Sequence, residues 1–271
     1  MNAPFQAARL LILLVFVSFV SACAVPKNSG SSGEVVDPYE KTNRSIHQLN
    51  LGLDRAFFRP ASKGYVAIVP PPIVDSFSYF ADNASEPSNM VNGLLQGNPK
   101  RAGTALARFL LNSTIGFAGL ADPATEFGLP ADETDFGETL HIWGAPEGAY
   151  VELPAFGPSN QRDAVGLVVD FFTNPIGYSR SNRVANVTLV SKVVQQLGNR
   201  GRYSDTIDSI LYESADSYAQ SRIIYLQNRR FELAGAGGET YSDPYAEGTD
   251  PYAVPGAAPE LYADPYEDPY E

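Results

Sequence analysis

An apolar run of 11 residues, Leu10–Val20, ends three residues before the chain's single cysteine, Cys23. A run of this length fits the roughly 7–15-residue hydrophobic region of a secretory signal. It is too short for a membrane-spanning helix, which needs about 20 apolar residues. Ser21 and Ala22 are the small residues that a cleavage site requires. Two readings are open: a plain cleaved signal with an incidental cysteine, or lipidation of Cys23 as the new N-terminus. Either way the mature chain folds outside the cytoplasm and cannot form an internal disulfide.

The positions Val20-Ser21-Ala22-Cys23 resemble a bacterial lipobox. Acyl chains on Cys23 would hold the protein to a bilayer durably, because each buried CH₂ is worth about 0.8 kcal/mol. Ala24, rather than Asp, follows the cysteine, which resembles an outer-membrane rather than an inner-membrane address. The expected organisation is a signal over 1–22, a lipidated N-terminus and polar tether over 23–36, a folded body over 37–238 and an acidic tail over 239–271. The tether contains KNSGSSG at Lys27–Gly33, a flexible composition.

Pro and Gly divide the body into helices. Asp37-Pro38 is a start signal, with Asp as N-cap and Pro at the first helical position. Ile46, Leu49 and Leu53 then recur on one face. Gly52 weakens that helix by roughly 1 kcal/mol relative to Ala, so Asn50-Leu51-Gly52 reads as a kink or hinge, or as a helix end followed by a second turn at Asp54–Phe58. Pro60 and Pro70-Pro71-Pro72 separate the next pieces. Helical spacing continues over Ile73–Ala84 and over Lys100–Ile115 after Asn98-Pro99. From Ala121 to Pro158 the pattern breaks into a stretch too long for a simple connection, with one candidate strand at Tyr150–Leu153. Asp163–Tyr178 is apolar on nearly every side except Asp170, so it is either buried all round or in contact with lipid. Helices over Ser181–Gly198 and Thr206–Leu233, with Gly201 as the break between them, complete the body. Arg222, Arg229 and Arg230 near the end of the last helix read as a solvated charged face.

Net charge is −12, and nine acids with no Lys or Arg fall from Glu239 onward. With Arg9 lost in the signal, the body keeps a net charge near −4, which argues against nucleic-acid binding. The tail repeats Asp-Pro-Tyr at 243, 250, 264 and 268. Its composition is that of a disordered, solubilising spacer, or of a partner-binding segment. Chemistry is scarce. There is no HExxH, P-loop, GxGxxG or GxSxG motif. Nothing calls for a cofactor or metal, and the expectation is a protein that is not an enzyme. A hydrolase site built around His47 or His141 stays open, because triads are spatial rather than sequential.

Ordered blocks now point to one family. Asp37-Pro38-Tyr39-Glu40 with Asn43-Arg44, and Glu86-Pro87 through Met90-Val91-Asn92 to Leu95-Gln96-Gly97, resemble its DPxExxNR and EPxxMVNxxLQG blocks. Arg108-Phe109, Asn112-Ser113-Thr114, Gly116, Gly119 and Asp122-Pro123 are similar to a third block. Phe136–Leu140, Gly144, Gly148 and Tyr150–Pro154 are similar to a fourth. Together they resemble the MlaA (VacJ) lipoprotein family over about Asp37–Gly238.

The resemblance implies a mainly α fold, a ring-like single domain of amphipathic helices embedded at the outer membrane, with long loops and few or no strands. It implies a protein on the periplasmic-facing leaflet, docked on trimeric porins. Such a protein removes mislocalised phospholipids from the outer leaflet through a central channel and hands them to a soluble periplasmic carrier, maintaining lipid asymmetry. The alternative is an envelope scaffold lipoprotein without transport. Channel candidates are Asn43, Arg44, Asn50, Leu51, Asn89, Asn92 and Asn112, although each asparagine could equally be a cap or turn residue. Membrane-contact candidates are Val165, Leu167, Val168, Phe171 and Phe172.

Overall fold

A computed structural model of the chain describes residues 37–173 and 182–236. The signal, Cys23, the tether, the end of the apolar stretch at 174–178 and the tail lie outside the described residues. Within them the regular structure is helical apart from one antiparallel hairpin.

Helix α1 is Glu40–Leu53. Asp37 does not cap it: Tyr39 takes the N-cap position, with no side-chain cap. The Asp37 carboxylate instead accepts from Asn43 Nδ2 at 2.9 Å, from Arg222 Nη1 at 2.6 Å and from the Tyr218 hydroxyl. A bond from a guanidinium is stronger than a cap bond from an amide, which explains the choice. Gly52 neither kinks nor ends α1. The backbone passes through Asp54 in helical conformation into a π turn, Asp54–Phe58, and on into α2, Arg59–Ile68. Pro60 accounts for the widening. Its ring would collide with the carbonyl four residues back and it offers no N–H, so the ladder opens just before it, with Arg59 N–H reaching back to Asp54 O.

Helices α3 (Pro71–Asn83), α4 (Glu86–Leu95) and α5 (Pro99–Thr114) each carry a proline in the first turn, as the punctuation suggests. The long irregular stretch holds two short helices, α6 (Pro123–Glu126) and α7 (Phe136–Ile142), capped by the Asp122 and Asp135 side chains. It also holds the strand β1, Tyr150–Leu153, whose partner β2 is Gly157–Asn160. Tyr150 stands opposite Asn160 and Leu153 opposite Gly157.

Helix α8 spans Gln161–Thr173 and α9 spans Asn182–Arg202. Gly201 lies inside α9 rather than breaking it. A Cβ there would stand 2.5 Å from Val66 Cγ1 and 2.7 Å from Ser62 O, so the glycine lets α9 lie against α2. The last helix is not continuous. Helix α10 (Ser204–Asp208) runs into a second π turn, Ser209–Glu213, the chain extends at Ser214, and α11 begins afresh at Ser217 and ends at Ala236. Asp216 makes the restart by accepting from Ala219 N–H at 3.0 Å.

Burial is distributed unusually. Polar and charged side chains outnumber apolar ones among the fully buried residues, and the apolar core is small, centred on Tyr150, Tyr218 and Leu226. Large apolar side chains face outward in number, among them Ile68 at 82%, Phe117 at 79% and Phe171 at 76% exposure. A surface of that kind is suited to an apolar surrounding. No helix of the described residues is long and apolar enough to cross a membrane. The buried polar groups are organised in networks. Arg108 donates to Glu86 at 2.6 Å, to Asp122 at 3.0 Å and to the Leu129 carbonyl at 2.5 Å, tying α4, α5 and the α6 region together. The first and last helices are also tied. Arg44 grips Asp216 with two bonds of 3.0 and 2.8 Å, and Asp37 meets Arg222 and Tyr218, so α1 closes against α11.

Candidate functional site

Two cavities open on either side of the β1–β2 turn. The larger, about 340 Å³, is bordered by Asp135, Asp163, Asp170, Tyr225, Arg229 and Glu232, with Leu153, Leu167 and Phe156. The smaller, about 220 Å³, is bordered by Leu51, Leu53, Phe58, Ile207 and Leu211, with Asn50, His47, Glu152, Asp54 and Arg200 as its polar groups. Phe156 and Pro158 border both, so the hairpin turn forms their common wall.

That turn is positioned by α1. Asn43 and Asn50 lie two helical turns apart on the face toward β1. Asn43 Oδ1 accepts from Glu152 N–H at 3.0 Å and its Nδ2 donates to the Tyr150 carbonyl at 3.1 Å. Asn50 Oδ1 accepts from Ala155 N–H at 2.7 Å and its Nδ2 donates to the Leu153 carbonyl at 3.0 Å. Two asparagine amides thus stand in for a third strand beside β1. Ala155, at φ 64°, is held in the left-handed region within this turn.

The larger cavity is electrostatically divided. Arg229 donates to Asp163 at 3.0 Å and to both oxygens of Asp135 at 2.8 Å. Burial pushes the Asp163 carboxyl up, but Arg229 and Arg162 outweigh it and hold it below the ordinary range. Asp170, bonded by Phe136 N–H at 2.8 Å and Asn92 at 3.1 Å, is pushed up by its own burial, which outweighs these bonds. In the smaller cavity, burial also raises Asp54. Arg200, at 2.9 and 2.8 Å, and the Tyr212 hydroxyl, at 2.7 Å, bring it below its ordinary value.

Of the residues singled out from sequence, Asn50 and Leu51 border the smaller cavity. Asn43 lies behind the strand, and Arg44 lies outside it, over the Tyr218 ring at 4.5 Å. Asn89, Asn92 and Asn112 are buried between helices. They bond Glu86 at 3.2 Å, Asp170 at 3.1 Å and Asp122 at 2.9 Å. Leu167, Val168 and Phe171 form an exposed edge of α8 and Val165 is half-buried; the Phe172 side chain lies outside the described residues. Arg222 and Arg229 are not a solvated face. Their side chains are 17% and 12% exposed, spent on the buried Asp37 and Asp163 and on the more exposed Asp135, because α11 packs these arginines inward. Only Arg230 is substantially exposed, paired with Glu147 at 3.0 Å. Sequence reasoning passed over Phe156, Glu152, Arg200 and Asp135. The signal available for the first two was the Gly157 that follows the Tyr150–Leu153 strand.

His47 sits between Ser217 Oγ, 3.1 Å from Nε2, and Glu152 Oε1, 3.3 Å from Nδ1. Nucleophile, base and orienting acid are thus in sequence, but an acyl-transfer site also needs donors for the oxyanion. The first-turn amides of α11 that could serve, at Tyr218 and Ala219, bond the Asp216 carboxylate instead.

The sequence model of the MlaA lipoprotein family matches residues 35–232. The chain belongs to the MlaA lipoprotein family. Every residue bordering the two cavities lies inside the matched region. The intermembrane phospholipid transport system lipoprotein MlaA of Escherichia coli K12 is 30% identical over 245 residues, covering 88% of this chain and 94% of its own. The protein of the same name from Haemophilus influenzae is 30% identical, covering 84% and 91%. An uncharacterized protein of Rickettsia prowazekii is 34% identical, covering 72% and 77%. A solved structure described as the structural basis for maintenance of bacterial outer membrane lipid asymmetry is 32% identical. It superposes with a TM-score of 0.63 over 73% of this chain and 98% of that one. The helical MlaA-family fold with a single small hairpin agrees with the architecture that the motifs imply.

Proposed function

We propose that this protein is a lipid-anchored component of phospholipid transport at the outer membrane. It takes mislocalised phospholipid from the outer leaflet along the path formed by the two adjoining cavities and passes it to a soluble periplasmic carrier, working beside trimeric porins. Cys23 carries the anchor. The observation that carries the reading is the pairing of an apolar exterior with two partly polar cavities that share the wall at Phe156 and Pro158. Lipid acyl chains cost about 0.8 kcal/mol per CH₂ to expose to water. A covered path with apolar sides and a few polar groups lowers that barrier without any covalent step. The relatives named for phospholipid transport support the same role.

In this arrangement Leu167, Val168 and Phe171 meet lipid on the outer face of α8, while Asn50 and Leu51 border the path. Asn43, Asn89, Asn92, Asn112 and Arg44 hold the walls in place.

The test is surface-exposed phospholipid in cells with and without this gene. A rise on deletion, reversed by the wild-type chain and not by Cys23→Ala, is the expected result. An unchanged level on deletion would overturn the transport role and leave an envelope scaffold.

A further inference from the structure

The tetrapeptide that opens the folded body, Asp37-Pro38-Tyr39-Glu40, occurs again twice in the tail, at 264–267 and 268–271. Asp-Pro-Tyr also occurs there at 243 and 250, followed by Ala. The structure shows what the two acids of this tetrapeptide bind. Asp37, 4% exposed at its side chain, sits in a socket made by Asn43 on α1 and by Tyr218 and Arg222 on α11. Glu40 adds a pair with Arg44 at 2.8 Å, and the Arg44 guanidinium covers the Tyr218 ring.

We propose that the tail's DPYE tetrapeptides are second ligands for the Asp37 socket, exchanging with the chain's own opening segment on α1 and α11. Three observations support this. The same four residues recur in the same order, with the two acids that make the contacts at the same spacing. The charges are complementary, since the tail from Glu239 has nine acids and no cation while the socket presents Arg222. The Arg222 Nε atom is buried without a hydrogen-bond partner, so Asp37 leaves one donor of the guanidinium unused.

The reach is also sufficient. Arg222 lies 14 residues before the end of α11 at Ala236, which is about 21 Å along a helix. From Ala236 to Asp264 there are 28 residues, and a chain of that length can reach at most about 90 Å. Tethering at such a length gives an effective concentration on the order of millimolar. A weak tetrapeptide ligand therefore suffices to occupy the socket whenever Asp37 leaves it. The exchange would release the first turn before α1 from α11 while keeping the Arg222 charge paired.

The test is a mutant cycle in the full chain, purified in detergent and followed by thermal unfolding. One arm is Asp37→Ala. The second arm converts Asp243, Asp250, Asp264 and Asp268 to Asn, and the third combines the two. If the tail fills the socket, the second arm alone shifts the midpoint by less than about 1 °C, and the combined chain melts about 3 °C or more below Asp37→Ala. A peptide of the sequence 261–271, added to the combined chain, restores the difference, while its Asp→Asn counterpart does not. Equal midpoints for Asp37→Ala and the combined chain, with no response to the peptide, overturn the proposal.

Should Asp37→Ala fail to fold, Asp37→Asn keeps the side-chain shape and serves in the same cycle. A photocrosslinker at Tyr266 in the otherwise unaltered chain gives a second readout. Adducts to the α1 and α11 residues around Arg44 and Tyr218 support the socket, and adducts confined to other surfaces or other proteins overturn it.

Discussion

Gly166→Ala is the substitution whose effect the structure defines best. Gly166 on α8 faces Gly137 on α7, and a Cβ there would stand 2.7 Å from Gly137 Cα and closer still to its amide nitrogen. Carbon atoms in contact sit about 3.5–4.0 Å apart, so α7 and α8 must separate by about 1 Å. The obstruction is backbone on the far side, which cannot rotate away. Asp163 and Asp170 flank Gly166 on the same face of α8, and they hold Arg229 and Phe136 N–H at 3.0 and 2.8 Å. The separation that admits a methyl group stretches the Phe136–Asp170 bond and the bridge that Arg229 makes from Asp163 to Asp135 at the start of α7. Overpacking alone costs about 1–3 kcal/mol, and a weakened charge-assisted bond adds a further share of about 1.5–3 kcal/mol. A total of about 3 kcal/mol lowers the unfolding midpoint by about 6–12 °C for a body of this size. The assay is thermal unfolding in detergent followed by circular dichroism, with Gly52→Ala as the companion. Gly52 has nothing within 4 Å of its added Cβ and lies in α1, so that change is neutral or stabilising by up to about 1 kcal/mol. A Gly166→Ala midpoint within about 1 °C of wild type would refute the close approach of α7 and α8.

Further expectations follow from the same geometry. Arg108→Ala leaves Glu86 buried without its cation and should cost about 3–5 kcal/mol, read as loss of most folded protein in membranes; normal abundance would contradict the network. Asn50→Ala removes the acceptor for Ala155 N–H and the donor to Leu153 O, so stability should drop by about 1–3 kcal/mol and surface phospholipid should rise; unchanged lipid traffic would show that the hairpin turn does not depend on Asn50. Ile68→Asp and Phe117→Asp place charge on the apolar exterior, so the purified protein should bind less detergent; unchanged detergent binding would show that these side chains do not meet an apolar surrounding. Acid should destabilise the fold. Burial pushes Asp54, Asp122, Asp163 and Asp208 up, yet hydrogen bonds and nearby arginines hold each below its ordinary value, and the Arg44 bond draws Asp216 down to about 2. The unfolded chain then takes up protons first, near the ordinary carboxylate value of about 4. The stability these groups give is present above that pH and lost below it. The unfolding midpoint should therefore fall from pH 4 toward pH 2, and a rise over that interval would refute the assignment.

The helical punctuation was legible because proline acts locally: Pro71, Pro87 and Pro99 each sit in a first turn whatever the chain packs against. What was not legible depends on partners far along the chain. Asp37 has the form of a cap, and only the arrival of Arg222 gives it a stronger bond. Gly201 has the form of a break, and only α2 lying against it reveals a close approach. The β2 segment, Gly157-Pro158-Ser159-Asn160, has poor strand residues and pairs because β1 offers it a ladder. Asn43, Asn89, Asn92 and Asn112, read as path residues, hold helices and strand, because a polar interior consumes amides as mortar. Arg229 read as solvated for the converse reason: its acids, Asp135 and Asp163, lie more than 60 residues earlier.

The bond from Arg222 to Asp37 spans 185 residues of sequence. Contacts of such separation form late, since the loop they close must first be ordered. A chain is made from its N-terminal end, so Asp37 is in place long before α11 follows. For that interval α1 has neither its buried carboxylate partner nor Asp216 to hold Arg44. Closure is the last event of assembly and coincides with delivery of the final helix. A chain stalled or cut before residue 222 would remain open, with its apolar outer face displayed and the Asp37 carboxylate unpaired, a ready substrate for proteolysis. The clasp therefore serves as a completeness check: only a chain finished through its last helix can shut.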